Sequence, residues 1–349
     1  MRILVAAQPI PVRELSDLCQ PDPKLPRPVR VHSRSFIGLI VVLALVLVAA
    51  PSGQSQVTQP YSGITYIDRV EDSPRPVHMR VVQIDLKTPG LRFKVSPPGG
   101  SRETVRQRTV DYLRQERAQL AINAHFFLPF PSQDADAWVI GLGASEGRVF
   151  SAFESPAQSF AIVTDAAALN IDARNRARIV HRNPKNSDGL QVRERVRLWN
   201  VVAGSAQIVT DGRPTVPVYR DSEHPRGLLT AGGPGSGFSN ARSWYSLTTA
   251  RTAIGLSRDN RTLTLFTVDV RGGSEGMRLE EVAAVLIRDY QVWNALNLDG
   301  GGSTTIAWAD PATGEPAVLN TSSDNPDGRS VATSLAVFAP RVARDQSPR

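Results

Sequence analysis

The chain has 349 residues, 41% of them hydrophobic and 21% charged, the proportions of an ordinary globular protein and not of a disordered one. Its formal charge is +7, but the first 50 residues carry six Lys/Arg against three Asp/Glu, so that 34 basic residues face 30 acidic ones in the rest; so small an excess does not argue for a nucleic-acid partner and is compatible with an anionic small substrate. The single cysteine, Cys19, lies in the amino-terminal segment, which removes disulfides, thiolate metal sites and cysteine nucleophiles from the folded part together.

Residues 1–35 are rich in Pro and Arg without periodicity and are expected to be an unstructured leader. Phe36–Ala50 (FIGLIVVLALVLVAA) is a 15-residue apolar run preceded by Arg27, Arg30 and Arg34. A membrane-crossing helix needs ~20 apolar residues and a secretory h-region about 7–15. Ala49, Ala50, Ser52 and Gly53 offer cleavage positions, so the run reads as an export signal, with an uncleaved amino-terminal anchor as the alternative. The expected location is periplasmic or extracellular, with membrane contact only through this segment. Pro51–Pro60 (PSGQSQVTQP) reads as a polar linker, residues 61–340 as one folded domain and 341–349 as a tail.

Val77–Leu86 alternates in the manner of a half-buried strand, and Pro89-Gly90 turns it into Leu91–Val95, its expected hairpin partner. Thr104–Ala118 reads as a polar, exposed helix. Leu120–Phe127 (LAINAHFF) runs as a strand into a loop containing Pro129 and Pro131. Asn123 and His125, two apart, fall on one face of a regular strand; a His among aromatics is as a rule a satisfied structural residue, the alternative being contact with substrate. Further strands are expected at Ser159–Thr164, Arg178–His181 and Leu198–Ala203, and Asp211-Gly212 marks a hairpin after Ala206–Thr210. Asp221–Asn240 holds the run Gly232–Gly237, either plain surface or a wall over a site.

From Arg251 the signals sharpen. Arg251–Ser257 and Thr262–Val270 flank the turn Arg258–Arg261, a hairpin that places Arg251 and Asp269 at the same open end. Leu279, Val282, Leu286 and Tyr290 then follow at helical spacing. The helix returns the chain to Ala295–Leu298, a short apolar strand that delivers Asp299 to its end, and Gly300, Gly301 and Gly302 follow at once with Ser303, Thr304 and Thr305. A carboxylate beside glycine N–H donors suits an anionic or polyhydroxylated ligand and a water to be activated; the plainer reading is a Gly-rich turn between strands. The loop lacks the Gly-Lys-Ser/Thr ending of a nucleotide-binding P-loop. A hairpin around Pro311–Gly314, a polar loop at Asn320–Arg329 and a closing strand at Val331–Phe338 complete the chain. Many short strands, hairpins in place of βαβ alternation and two clear helices predict an α+β domain whose sheets are mixed but largely antiparallel, with a few packed helices.

Strand ends thus carry Asn123 and His125, Arg251, Asp269 and Asp299, with Arg329 added from the last loop. Two carboxylates and a fixed Arg suit hydrolysis at a phosphorylated sugar, since Arg holds phosphate bidentately and a carboxylate activates water or stabilises an oxocarbenium-like carbon. The competing reading makes Arg251 and Asp269 a structural ion pair. A divalent cation at the two carboxylates is compatible with this chemistry, but no ligand spacing demands one, so no cofactor is assigned and the metal is left open.

The run RTAIGLS (251–257), LFTVD (265–269), GMRLEEVAAVLIRDY (276–290) and ALNLDGGGST (295–304) resembles the phosphodiester glycosidase family. NAHFF (123–127), VAGSAQIVTDG (202–212) and SSDNPDGR (322–329) resemble further motifs of that family, and the resemblance spans Gln119–Phe338. It implies an α/β domain that hydrolyses a sugar-1-phosphodiester and releases the sugar. By the same resemblance Asn123, Arg251, Asp269 and Asp299 line the site, with Arg329 beside them. Val270 departs from the Gly common after this Asp, and His125 from the Gly or hydroxylated aromatic common at its position. The disulfides of animal members do not transfer to a chain whose body lacks cysteine, and the leader and Arg-rich composition fit a bacterial envelope protein. The expected catalytic set is therefore Asp299, Asp269, Arg251 and Asn123, with His125, Gly300, Gly301, Gly302, Ser303 and Arg329 as substrate contacts. The expected partner is a sugar phosphodiester in a glycan. A non-catalytic envelope module that binds phosphorylated glycans is the alternative, and retention of both carboxylates favours the enzyme.

Overall fold

The computed structural model describes residues 53–153, 158–233, 237–321 and 325–342. The basic leader, the apolar run read as an export signal and residues 343–349 of the tail lie outside the described residues. Three sheets of five or more strands carry the fold. The largest has eight, in the spatial order Gly53–Tyr61, Ile64–Glu71, Val77–Asp85, Thr262–Val268, Arg251–Ser257, Val292–Asn297, Ala206–Thr210 and Arg213–Pro214. Its ladders are all antiparallel, and among the described residues parallel pairing is confined to one isolated bridge, Tyr219 with Leu229. The mixed character expected from sequence is thus absent from the sheets themselves. Short turns such as Arg258–Arg261 permit only antiparallel neighbours, because a parallel pair needs a long crossover.

Alternation along the central strands decides what each face of this sheet meets. Ile254, Leu256, Leu263 and Leu265 point into a core shared with the two five-stranded sheets, where they join Ile122, Leu169, Val202 and Leu335. Ala253, Phe266 and Val268 point the other way, into a second core under the helix Leu279–Tyr290. That helix starts where the Glu281 carboxylate accepts from the Arg278 N–H at 2.8 Å. Its Leu279, Val282, Leu286 and Tyr290 are all buried, and each fully buried Leu or Val contributes roughly 1.5–3 kcal/mol.

Only two α-helices occur among the described residues, Thr109–Glu116 and Leu279–Tyr290, so the protein is largely β, at the β-rich limit of the α+β class. The helix expected over Thr104–Ala118 is shorter, with Thr104-Val105 and Gln107-Arg108 paired as short strands. It is not fully exposed either, since Val110, Tyr112 and Leu113 are buried. Ser159–Thr164 is not a strand: Ala161 and Ile162 both donate their N–H to Gln158 O, a turn. The linker expected at 51–60 is, from Gly53 to Tyr61, an edge strand paired with Ile64–Glu71. Its side chains from Gly53 to Gln59 face solvent, so its composition is as polar as a linker's while its backbone hydrogen bonds hold it to the sheet. No helix among the described residues is long and apolar enough to cross a membrane.

Candidate active site

The strand Val292–Asn297 hands the chain from the eight-stranded sheet to the five-stranded sheet that contains Leu120–Asn123. Leu298 N–H donates to Thr252 O at 2.9 Å, and Asp299 N–H to Ala124 O at 3.0 Å. Within two residues the backbone has left one sheet and joined the end of the other. Asn123 fastens this crossing. Its Nδ2 donates to Asp299 O (2.6 Å), while its Oδ1 accepts from Thr252 Oγ1 (2.9 Å) and Thr305 N–H (3.0 Å). Fully buried and bonded on both sides of its amide, Asn123 positions Asp299 and does not line the pocket into which Asp299 opens.

That pocket has a volume of about 470 Å³ and is lined by Asp299, Gly300–Gly302, Arg251, Asn297 and Arg329, with an aromatic wall opposite. Glycine is required at its floor for two reasons. A Cβ on Gly300 would lie 2.9 Å from Ala250 O, and Gly301 holds φ +57, a region other residues adopt at a cost. The loop is less of a donor cradle than its composition suggests, however. Gly301 N–H donates to Ala250 O (2.8 Å), which ties the loop to the neighbouring segment, while Ser303 N–H to Gly300 O (3.1 Å) and Thr304 N–H to Gly301 O (3.2 Å) close a 3₁₀ turn, so these amides are already spent. Ser303 is buried beneath it, where its Oγ accepts from Arg329 Nη1 at 3.4 Å; it supports Arg329 and does not line the pocket. The Arg329 guanidinium also lies 4.5 Å over the Phe130 ring at the rim.

Arg251 is the main electrostatic feature. The side chain is 2% exposed, and its Nε and Nη2 donate to three carbonyls, Met277 O (3.1 Å), Trp244 O (3.3 Å) and Leu247 O (2.6 Å). No carboxylate pairs with it among the described residues. Burial pulls its pKa down to about 10, which leaves it a cation at neutral pH. A guanidinium fixed by neutral acceptors and facing a pocket is a ready counter-charge for a phosphate.

Asp269 does not join it. Arg251 pairs with Val268 across the hairpin, so Asp269 is one residue out of step and projects from the opposite face of the sheet. There it is fully buried. Its carboxylate accepts from Arg80 Nη1, from Asn320 Nδ2 at 3.0 Å and from Thr321 N–H at 3.0 Å. Burial outweighs the Arg80 cation and holds its pKa above the usual carboxylate range. The structural partner of Asp269 is therefore Arg80, not Arg251, and the expected catalytic role of Asp269 is not supported by its position. Asp269 and Asp299 therefore do not face each other across the pocket, which Asp299 lines and Asp269 does not. No group of three His, Cys, Asp or Glu suited to a metal ion occurs among the described residues.

His125 is likewise structural. The strand ends at Asn123, so the regular alternation that would bring His125 to a site stops short of it. Its Nδ1 lies 2.8 Å from Thr333 Oγ1 and its Nε2 3.1 Å from Leu142 O. Burial lowers its pKa from 6.5 to about 4, so the native ring is neutral where an unfolded chain's is protonated. Stability from this source is present above pH 6.5 and is lost as pH falls towards 4, an effect on the order of 3 kcal/mol. In thermal melts across this range, His125→Gln is expected to flatten the acid limb of the Tm profile; a limb as steep as that of the wild type would contradict it.

Three features of the pocket escape a reading by residue type alone. Asn297, 2% exposed, donates from Nδ2 to Ser205 Oγ at 2.8 Å, while its Oδ1 is buried without a partner among the described residues. Trp244 Nε1 is also buried and has no partner among the described residues, so one acceptor and one donor lie unused just behind the pocket wall. Phe238, from the end of the 232–237 glycine run, stacks on Phe160 (5.7 Å between centroids) and meets Trp244 edge-on at 5.5 Å. Asn297 could have been found, since it ends the strand two residues before Asp299; the aromatic wall comes from distant loops with no common motif.

A family model described as phosphodiester glycosidase matches residues 116–338. A comparison with curated proteins finds no match. Among solved structures, a protein from Synechocystis is similar with a TM-score of 0.56 at 16% identity, over 83% of this chain and 64% of that one; this chain thus spans just under two thirds of that protein's length. The catalytic domain of zebrafish N-acetylglucosamine-1-phosphodiester alpha-N-acetylglucosaminidase, auto-inhibited by its pro-peptide, is similar with a TM-score of 0.53 at 20% identity, over 82% of this chain and 88% of that one. A protein from Burkholderia pseudomallei gives a TM-score of 0.53 at 13% identity, over 83% and 97% of the two chains. At these identities the structural likenesses establish a common fold.

Proposed function

The chain belongs to the phosphodiester glycosidase family, and from that premise we propose that the Asp299 pocket hydrolyses a sugar-1-phosphodiester at the glycosyl C–O bond. One observation carries the reading: a buried guanidinium without a carboxylate partner, Arg251, opens on the same pocket as a carboxylate held at the end of a neighbouring strand. Arg251 receives the phosphate. Asp299 orients the attacking water, takes up its proton and stabilises positive charge at the anomeric carbon. Water oxygen bonds to that carbon as the C–O bond breaks, and the bonding pair leaves with the phosphate. Because the departing phosphate is a stable anion, no strong general acid is needed, which fits a site whose second carboxylate is engaged elsewhere. Phe160 and Phe238 give the pocket an apolar face against which a sugar ring can pack. The reading is tested by incubating the protein with UDP-GlcNAc and with a GlcNAc-phosphodiester and measuring free sugar; release from neither would remove it.

Arg251→Lys keeps the charge but loses the planar fork and its three carbonyl anchors. It is expected to lower kcat/KM by about ten- to a hundredfold, mainly through KM. Unchanged kinetics would make Arg251 purely structural. The alternative, a non-catalytic module that binds phosphorylated glycans, gains one point from the structure, since Asp269 is held away and a single carboxylate remains. It predicts tight binding of the phosphodiester with no turnover. We also propose that the protein acts outside the cytoplasm, on a glycan of the cell envelope, from the Arg34-flanked apolar run Phe36–Ala50. Cell fractionation tests this, and a full-length soluble cytoplasmic product would count against it.

A further inference from the structure

A second cleft, of about 930 Å³, lies at the other end of the Arg251–Ser257/Thr262–Val268 hairpin from Asp299. Strand rise puts about 20 Å between the two. It is bounded by the turn at Arg258–Arg261, the loop at Leu86–Leu91, the hairpin of Ala168–Ile171 with Ala177–Val180, and the segment Arg195–Arg197. Lys87, Arg174, Arg178, Arg195 and Arg197 line it, all exposed and none with a carboxylate partner among the described residues. Arg176 and Arg261 line it too, but are paired with Asp172 (2.6 Å) and Asp85 (2.9 Å). Seven cations thus face two lining carboxylates, Asp172 and Asp259. The whole chain beyond residue 50 carries an excess of only four positive charges, 34 against 30, so the protein is otherwise balanced and its surplus is gathered in this one place.

The cations stand on a braced scaffold. Asp172 Oδ1 accepts from the Arg174 and Arg176 N–H groups at 2.8 and 3.0 Å, which fixes the turn between the two strands. Asn175 Nδ2 ties that turn to Leu91 O at 2.7 Å. The buried Asn170 donates to Arg197 O (3.0 Å) and accepts from Trp199 N–H (2.9 Å), which pins the second arginine segment beside the first. Two rows of like charge are therefore held together against their own repulsion, a costly arrangement without a counter-charge to bind.

We propose that this cleft binds an anionic polysaccharide, as a site separate from the Asp299 pocket and independent of the hydrolysis proposed there. Guanidinium forks match the carboxylate, sulfate or phosphate groups of such a chain. Thr88 and Asn260 offer hydrogen bonds to its hydroxyls, while Pro89 and Val196 give apolar surface for sugar rings. A single-stranded nucleic acid is less suited, because its bases need aromatic stacking platforms and no aromatic side chain lines the cleft.

The test is fluorescence anisotropy with a labelled heparin decasaccharide at about 0.1 M salt, where exposed charges more than about 10 Å apart are screened and only a clustered site holds its ligand. Arg174→Gln/Arg178→Gln/Arg195→Gln/Arg197→Gln is expected to bind about tenfold more weakly or worse, with a shallower salt dependence. A control that removes four exposed cations elsewhere, Lys185→Gln/Arg213→Gln/Arg226→Gln/Arg271→Gln, is expected to bind like the wild type. The two half-variants, Arg174→Gln/Arg178→Gln and Arg195→Gln/Arg197→Gln, are each expected to show part of the loss and cover the case in which the fourfold variant misfolds. Wild-type protein that ignores heparin, a cleft variant that binds it normally or a control that loses as much would each overturn the proposal. So would tighter binding of an oligothymidylate of equal charge that the same cleft substitutions abolish. No turnover is read, so failure here leaves the hydrolase reading untouched.

Discussion

Asp299→Asn is expected to lower kcat on a glycosyl phosphodiester by roughly 10²–10⁴-fold, the usual cost of removing a positioned acid–base group. The fold should survive the change. Asp299 is tied to its surroundings through the backbone, by its N–H to Ala124 O and its carbonyl to Asn123 Nδ2, and asparagine keeps both bonds and the side-chain shape. What is lost is the negative charge that orients water and stabilises positive charge at the anomeric carbon. The bond that breaks can be read separately: in ¹⁸O-water, attack at carbon places the label in the released sugar, whereas attack at phosphorus places it on the phosphate. Label on phosphate, or a fully active Asn variant, would sink the mechanism even if hydrolysis itself were real.

How much of this site the sequence discloses depends on parity and register. Strand alternation and turn chemistry are local, so the Arg251–Ser257/Thr262–Val268 hairpin and the buried stripe of Leu279, Val282, Leu286 and Tyr290 could be drawn from spacing alone. The carboxylate at the end of Ala295–Leu298 is local as well, and Asp299 lines the pocket. Register between strands is not local. Arg251 and Asp269 do lie at the same end of one hairpin, yet the pairing of Arg251 with Val268 puts them on opposite faces, and nothing in either segment announces that single-residue offset. Asn123 and His125 are placed by register in the same way. The strand ends at Asn123, so alternation does not extend to His125, and both side chains are satisfied in the interior. The Gly53–Tyr61 edge strand shows the reverse error: with its side chains mostly in water, it has no hydrophobic period to detect.

Asp269→Asn is expected to destabilise the fold by roughly 3–5 kcal/mol, because it leaves the Arg80 guanidinium buried without its counter-charge. Arg80 is 6% exposed and Asp269 0%, so water cannot replace the lost partner, and the Arg80 Nε already has no acceptor among the described residues. The double variant Arg80→Met/Asp269→Asn separates structure from chemistry. The burial that raises the Asp269 pKa despite Arg80 means the pair itself adds little net stability, so removing both charges should recover most of what the single change loses. The Asn side chain still offers an oxygen to Thr321 N–H or Asn320 Nδ2, which now hold Asp269. If Asp269 acts only through this pair, catalysis should recover together with stability, and kcat of the double variant should lie within a few-fold of wild type. Urea melts and kcat measured on the same three proteins decide the matter. A double variant as stable as the wild type but still slowed by a hundredfold or more would return Asp269 to the reaction and overturn its assignment as a structural residue.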